Sequence, residues 1–352
     1  MFSSSRTALK IGVDLSGSVV TRCVRAALLY VSLLNSHAAM ADHIPASQRH
    51  MQIDCSGRGT PTVVFDSGLG GSSLEWIFVK ERLAPLTTVC SFDRAGYGGS
   101  DMGPLPRTSS RIANELYLLL NDRGIKGPYI FAGHSFGGYN MQLFARRYAY
   151  LTAGLVLIDA SHPDQVERFL EPPLGLLTAP SSRYGIVQFS DPPLPHQALP
   201  PDVRQRIMRN TGRWKTRRTL GNELLSFRDS ARQVKQQPRL PDLPVLVISR
   251  GRSAHPEDEK HALMESRWLD MQIELANLSG RAAHVRAVEA GHHVHIEQPE
   301  LVAAAIGALV DYVRAGNGEE TSQYALALSA RTDAEVQWLR DSINLSDRMT
   351  GQ

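Results

Sequence analysis

Two short segments of this 352-residue chain combine residue types that can do covalent chemistry: Gly133-His134-Ser135-Phe136-Gly137 and Gly291-His292-His293-Val294-His295. The first follows a strand-like run, Pro128 to Ala132, and precedes a helical segment, Gly138 to Tyr148. So tight a strand-to-helix turn excludes bulk two positions either side of its centre, hence Gly133 and Gly137. It also projects the Ser135 hydroxyl above the sheet edge, at a helix N-terminus whose dipole favours developing negative charge. A serine hydroxyl is a poor nucleophile until a base takes its proton, so an imidazole must stand at the same edge with a group to orient it. His292 is the expected base, with a capping or packed histidine as the bland alternative. His293 and His295 line the site or pack. No Cys or carboxylate set at ligand spacing accompanies them in sequence, so no metal is expected.

The elements that must position these residues read as alternating strands and helices. Strand-like runs are His50 to Cys55, Pro61 to Asp66, Thr87 to Asp93, Pro128 to Ala132 and Leu155 to Asp159, each bounded by Gly, Pro, Asp or Ser. Arg111 to Asn121 carries Ile112, Leu116 and Leu119-Leu120 at helical spacing and reads as a crossover helix, which makes the sheet mostly parallel. From 161 to 243 the pattern breaks into a Pro- and Arg-rich stretch without strand signals, and it resumes at Val245 to Ile248. A last strand, Val285 to Glu289, leads through Gly291 into a helix begun at Pro299 and ending near Arg314. The expected organisation is therefore a leader over 1–41, an α/β core over 42–160 and 244–315, an inserted cap or lid over 161–243, and a C-terminal tail over 316–352 with no assigned role. Between Arg204 and Arg232 the insertion holds nine basic residues, which read as a solvated helical face or, alternatively, as a preference for anionic substrates. Trp214 and Phe227 either pack or touch an acyl or aromatic group.

The order Ser, acid, His on this strand pattern resembles the α/β-hydrolase fold family over about residues 48 to 315. Ser67-Gly68-Leu69-Gly70 is similar to that family's oxyanion-hole loop, Asp93-Arg94-Ala95-Gly96-Tyr97-Gly98-Gly99-Ser100 to the loop after its next strand, and Gly291-His292 with Glu297-Gln298-Pro299 to its closing histidine motif. The resemblance implies an α/β-hydrolase fold with a mostly parallel central sheet, flanking helices and a lid, and nucleophilic acyl chemistry. The backbone N–H groups of Leu69 and Phe136 are then the expected oxyanion donors, each typically worth about 3 to 4 kcal/mol of barrier stabilisation. Ser67 stands where many relatives carry His, which leaves a backbone donor intact. Relatives most often place the acid in the turn after the strand matching Val245 to Ile248, but that turn reads Ser249-Arg250-Gly251-Arg252-Ser253. Others, including haloalkane-dehalogenase-like members, place it at the end of the strand after the nucleophile, which here ends in Asp159. Asp159 is the expected acid, with Asp258 or Glu257 as the alternative and a turn-capping aspartate as the bland reading. The resulting expectation is a serine hydrolase acting on a small-molecule carboxylic ester. Lactonase, thioesterase, amidase or lipase activity on the same triad are alternatives, as is a non-catalytic binding protein. Serine at position 135 argues against dehalogenation, which needs a carboxylate nucleophile.

Composition limits the other possibilities. At 42% hydrophobic and 21% charged, the chain is an ordinary globular one. The formal charge of +3 comes from the first 41 residues, with four basic residues against one acidic, so the remaining body is balanced and offers no electrostatic reason for a nucleic-acid partner. Arg22 and Arg25, the apolar run Ala26 to Leu34, and Ala39-Met40-Ala41 read as an export signal with its cleavage site, giving a periplasmic or secreted protein without a stable membrane anchor after cleavage. Cleavage removes Cys23 and leaves Cys55 and Cys90. In an oxidising space this pair suggests a disulfide, two buried free thiols being the alternative. Gly68-Leu69-Gly70 falls short of a dinucleotide fingerprint, so no cofactor is implied.

Overall fold

The computed structural model describes residues 49–170, 195–253, 259–316 and 336–337. The expected leader, Asp258, Glu257 and all of the tail beyond Gly316 except residues 336–337 lie outside them. The strands are β1 Ile53–Ser56, β2 Thr62–Asp66, β3 Val89–Phe92, β4 Tyr129–His134, β5 Thr152–Ile158, β6 Val245–Arg250, β7 Ala282–Ala287 and β8 Val336–Gln337. They form one sheet in the order β1-β3-β2-β4-β5-β6-β7-β8. Neighbours from β3 to β7 run parallel, and only the edge strands β1 and β8 pair antiparallel. The helices, in chain order, are α1 Ile77–Leu83, α2 Ser109–Asp122, α3 Gly137–Arg147, α4 Gln165–Leu170, α5 Pro201–Thr211, α6 Trp214–Leu225, α7 Phe227–Lys235, α8 Glu259–Ala276, α9 Val294–Glu297 and α10 Pro299–Arg314. This is the expected α/β-hydrolase fold.

Side-chain alternation explains how both faces of the sheet are used. Val64, Phe131, Leu155, Leu157, Val245 and Val247 point to one face, where α2, α3 and α7 cover them with Ile112, Leu116, Phe144 and Val234. Val63, Phe65, Ile130, Ala132, Val156 and Ile158 point to the other, covered by α1 and α10 through Val79, Leu83, Val302, Ile306 and Leu309. Strands buried on both sides carry apolar residues at both parities, which is why β2, β4 and β5 read as continuous apolar runs. Each fully buried side chain of this size contributes roughly 1.5 to 3 kcal/mol of transfer free energy.

The structure corrects two boundaries and supplies one missing element. The last parallel strand is Ala282–Ala287, three residues earlier than its expected start, and Val288 and Glu289 belong to the following turn. The sheet runs out there because β6 ends opposite Ala287 and the next N–H, of Gly251, bends back onto Ala287 O at 2.8 Å; Val288 is left 55% exposed. Helix α8 was absent from the expected elements although Met264, Trp268, Met271 and Leu275 form a buried stripe at helical spacing. Between β5 and β6 the described residues form helices α4 to α7. Among the described residues no helix is long and apolar enough to cross a membrane.

Cys55 and Cys90 face each other across β1 and β3 and are joined by a disulfide. The bond closes a loop of sequence separation 35, for which loop-closure entropy in the unfolded chain gives about 4 kcal/mol. The Cys55→Ser/Cys90→Ser variant is expected to lose about 2 to 4 kcal/mol of unfolding free energy in a denaturant titration. A loss within error of zero would show that the cross-link does not constrain the unfolded chain.

Candidate active site

The site begins with two strained residues. Ser135, between β4 and α3, has φ 50°, and Asp159, immediately after β5, has φ 40°; they are the non-glycine residues with positive φ among those described. Each such conformation costs on the order of 1 to 3 kcal/mol and persists only where its surroundings enforce it. Here the two enforce each other. Ser135 N–H donates to Ile158 O at 3.2 Å, and Ser135 O accepts from Gly138 N–H at 2.9 Å and Ser161 N–H at 3.0 Å. The flanking glycines are sterically required. A Cβ on Gly133 would lie 2.5 Å from Gly137 O, and one on Gly137 2.5 Å from Asp66 O. Ser135 is 4% exposed.

Asp159 is fully buried and receives four donors. Its Oδ2 lies 2.6 Å from His292 Nδ1 and accepts from Arg250 Nη1 at 2.7 Å; its Oδ1 accepts from Trp268 Nε1 at 2.7 Å and from Arg250 N–H at 3.3 Å. Burial alone would raise the carboxyl pKa. The charge of Arg250 and the hydrogen bond to His292 more than offset it, so Asp159 is held below the ordinary carboxylate range and is ionised. Because an ionised carboxylate only accepts, Nδ1 of His292 carries a proton, and in the neutral ring Nε2 is then the nitrogen with the free lone pair. Arg250 is neutralised on its far side by Glu265, at 2.9 and 3.1 Å, and stacks over Trp268 at 4.7 Å. Sequence reasoning missed Arg250, Trp268 and Glu265, although Arg250 stands in the turn searched for an acid. Ser253 in that turn is exposed, and Asp258 lies outside the described residues.

Opposite this pair runs the loop after β2. Leu69 is half-buried, Phe136 is fully buried, and neither backbone N–H has an acceptor among the described residues. Gly68 packs directly on the elbow, since a Cβ there would lie 3.1 Å from Ser135 Cβ. Ser67 turns inward, accepting from Trp76 Nε1 at 2.9 Å and donating to Ser72 O at 2.8 Å, so it staples the loop to the following 3-10 turn, Ser73–Trp76.

The remaining histidines serve the turn that carries His292. His134 Nε2–H donates to His292 O at 2.8 Å, and its ring lies 4.7 Å from that of His292 and 4.5 Å from that of His295. Desolvation keeps His134 and His295 well below the usual histidine range, and burial pushes His293 down to about 3, so all three are neutral at physiological pH. His196, His293 and Glu297 bring ligand-capable atoms within 4.8 Å of one another, a grouping invisible in sequence because His196 belongs to the segment between β5 and β6. Glu297 is already engaged there by Arg252 and by Gly291 N–H at 3.0 Å. Phe227 packs on Phe136 at 5.7 Å between ring centres, whereas Trp214 is 52% exposed. A cavity of about 540 Å3 shares Arg250 and Trp268 with the Asp159 site, but neither Ser135 nor His292 lines it.

Comparison with known proteins places the parallel sheet that carries these residues in a known family. The chain matches the model of the alpha/beta hydrolase family over residues 63–305 and belongs to that family. Among curated relatives it is 26% identical over 251 residues to the uncharacterized protein YqjL of Bacillus subtilis, covering 71% of this chain and 83% of the relative. It is also 26% identical over 286 residues to an AB hydrolase superfamily protein of Gibberella zeae, covering 72% and 87%. Among solved structures, a thermophilic esterase from Thermogutta terrifontis aligns with TM-score 0.53 at 22% identity, over 78% of this chain and 97% of that one. A haloalkane dehalogenase variant from Bradyrhizobium elkanii aligns at 0.57 and 16%, over 76% and 98%. At these identities the likeness is one of fold.

The lowered pKa of Asp159 fixes a sign for acid stability. Its contribution is fully present above the ordinary carboxylate value of about 3.9 and is lost as pH falls from there toward the lowered native value. Chemical denaturation of wild type and Asp159→Asn should therefore show wild type more stable at about pH 7, with a gap that narrows at about pH 3. A gap independent of pH would contradict an ionised, hydrogen-bonded Asp159.

Proposed function

We propose that this protein is an exported serine hydrolase that cleaves carboxylic esters through an acyl-serine intermediate. The observation that carries the reading is the 2.6 Å bond between His292 Nδ1 and the fully buried Asp159, which leaves Nε2 as the basic nitrogen. In this reading Ser135 Oγ attacks the ester carbonyl carbon while Nε2 of His292 takes its proton. The carbonyl oxygen becomes an oxyanion held by the N–H groups of Leu69 and Phe136. As the tetrahedral intermediate collapses, the bond to the alcohol oxygen breaks and His292 returns the proton to that leaving group. Water, deprotonated by the same imidazole, then attacks the acyl-serine, and the acid product leaves with Ser135 restored. Asp159 stabilises the imidazolium formed in each half, and Arg250 and Trp268 keep that carboxylate oriented and charged. The Cys55–Cys90 disulfide supports passage through an oxidising compartment, which agrees with the leader-like segment of residues 1–41.

Hydrolysis of para-nitrophenyl acetate by the mature chain tests this directly. Ser135→Ala should abolish turnover, and Asp159→Asn should lower kcat by about four orders of magnitude through loss of imidazole orientation. A fluorophosphonate should label Ser135 in wild type. Turnover by Ser135→Ala equal to that of wild type would end the proposal.

A further inference from the structure

Arg94 follows β3 and is 3% exposed, yet its guanidinium reaches three parts of the molecule at once. Nε donates to Glu223 Oε1 at 2.9 Å; Nη1 donates to Asp66 Oδ1 at 2.7 Å and Ser67 O at 2.6 Å; Nη2 donates to Gly68 O at 2.8 Å and Glu223 Oε2 at 3.0 Å. A guanidinium has five N–H donors, and these bonds use all five. Glu223, fully buried on α6, also accepts from Tyr97 Oη at 2.7 Å, and Asp66 from Asn140 Nδ2 at 2.7 Å, so both acids have partners besides Arg94. The same guanidinium lies 5.6 Å from the ring centre of Phe136.

One consequence concerns the peptide between Gly68 and Leu69. In a trans peptide the carbonyl and the N–H point in opposite directions, and rotating the unit requires breaking whatever holds either end. Arg94 holds the carbonyl end, together with Gly71 N–H at 3.1 Å. The Leu69 N–H therefore points away from Arg94, on a loop whose Gly68 rests against Ser135. A cation on the carbonyl oxygen also polarises the peptide and strengthens its N–H as a donor.

We propose that Arg94 is the positioning residue of the oxyanion pocket and that Glu223, from the helical segment between β5 and β6, locks it in place. Arg94 fixes the Gly68–Leu69 peptide through its carbonyl and supports Phe136 through its ring, so the two oxyanion donors share one anchor. Glu223 supplies the bidentate partner that sets the plane of the fork. The helical segment between β5 and β6 is thereby part of the device that stabilises negative charge. This inference rests on the acyl-serine reading of Ser135.

The test compares wild type, Arg94→Lys and Glu223→Gln in turnover of para-nitrophenyl acetate and in inhibition by phenylboronic acid, which forms a tetrahedral anion on an active-site serine. Rates are normalised to the serine titrated by a fluorophosphonate. Lysine keeps the charge but cannot span Glu223, Asp66 and the two carbonyls, so kcat/KM per titrated site should fall by about 100-fold or more, the effect of losing one oxyanion donor. The boronate Ki should rise by a similar factor, because the same donors bind the anion. Glu223→Gln, which preserves shape, should lower kcat/KM per titrated site and raise the boronate Ki by the same, smaller factor, and it remains decisive if Arg94→Lys fails to fold. A merely structural Arg94 would reduce the titratable fraction and the melting temperature while leaving per-site kcat/KM and boronate Ki at wild-type values in both variants, and that result overturns the proposal. Ser135→Ala alongside separates the two readings: activity surviving in it removes the serine mechanism itself, whereas its loss with unchanged per-site constants in the others removes only the role of Arg94.

Discussion

A carboxylate without solvent contact must have its charge compensated by protein groups, and the arrangement around Asp159 does this with a guanidinium, an indole N–H, an imidazole N–H and a backbone N–H. The consequences spread outward from that one ion. Arg250 at the end of β6 is buried only because Asp159 and Glu265 neutralise it, and Trp268 is drawn in from α8 by the same oxygen atoms. His292 is oriented by the remaining lone pair. Removing the carboxylate would leave buried Arg250 with Glu265 as its remaining acidic partner as well as free the imidazole of His292, so one group holds the arrangement together.

The second constraint is conformational. Ser135 and Asp159 both occupy the left-handed region, and hydrogen bonds run directly between their turns, from Ser135 N–H to Ile158 O and from Ser161 N–H to Ser135 O. Neighbouring parallel strands β4 and β5 thus end in two strained turns that brace each other. That places a hydroxyl and a carboxylate at one sheet edge without a long loop to carry either. The stability given up in these turns is supplied by strands buried on both faces.

Much of this was legible in the sequence where the requirement is local. Gly133 is demanded by Gly137 of the same turn, so the pattern around Ser135 reveals the turn, whereas the need for glycine at 137 comes from Asp66 O at the end of β2. Gly291 and His292 stand between β7 and α9, where the sequence pattern put the base between a strand and a helix. Asp159 was reachable by resemblance once the turn after β6 offered no acid. Arg250, Trp268 and Glu223 were not legible in the same way, because their roles depend on contacts 91, 109 and 129 residues away in the chain. The stripe Met264, Trp268, Met271 and Leu275 did announce helix α8, but nothing local tells a core tryptophan from one that donates to a buried carboxylate. The end of β7 was misplaced because a β-branched residue, Val288, favours a strand by propensity, while the end of its pairing partner decides where the sheet stops.

The central claim is that the hydroxyl of Ser135 becomes a covalent carrier when His292 accepts its proton. Brief mixing with an activated acetate ester, acid quench, proteolysis and mass spectrometry of the peptide spanning Gly133 to Gly137 measures that carrier directly. The account predicts an acetyl group on Ser135 in wild type and its absence when His292 is replaced by alanine. Turnover with Ser135 unmodified at every quench time, or acetylation of Ser135 undiminished in His292→Ala, would contradict it.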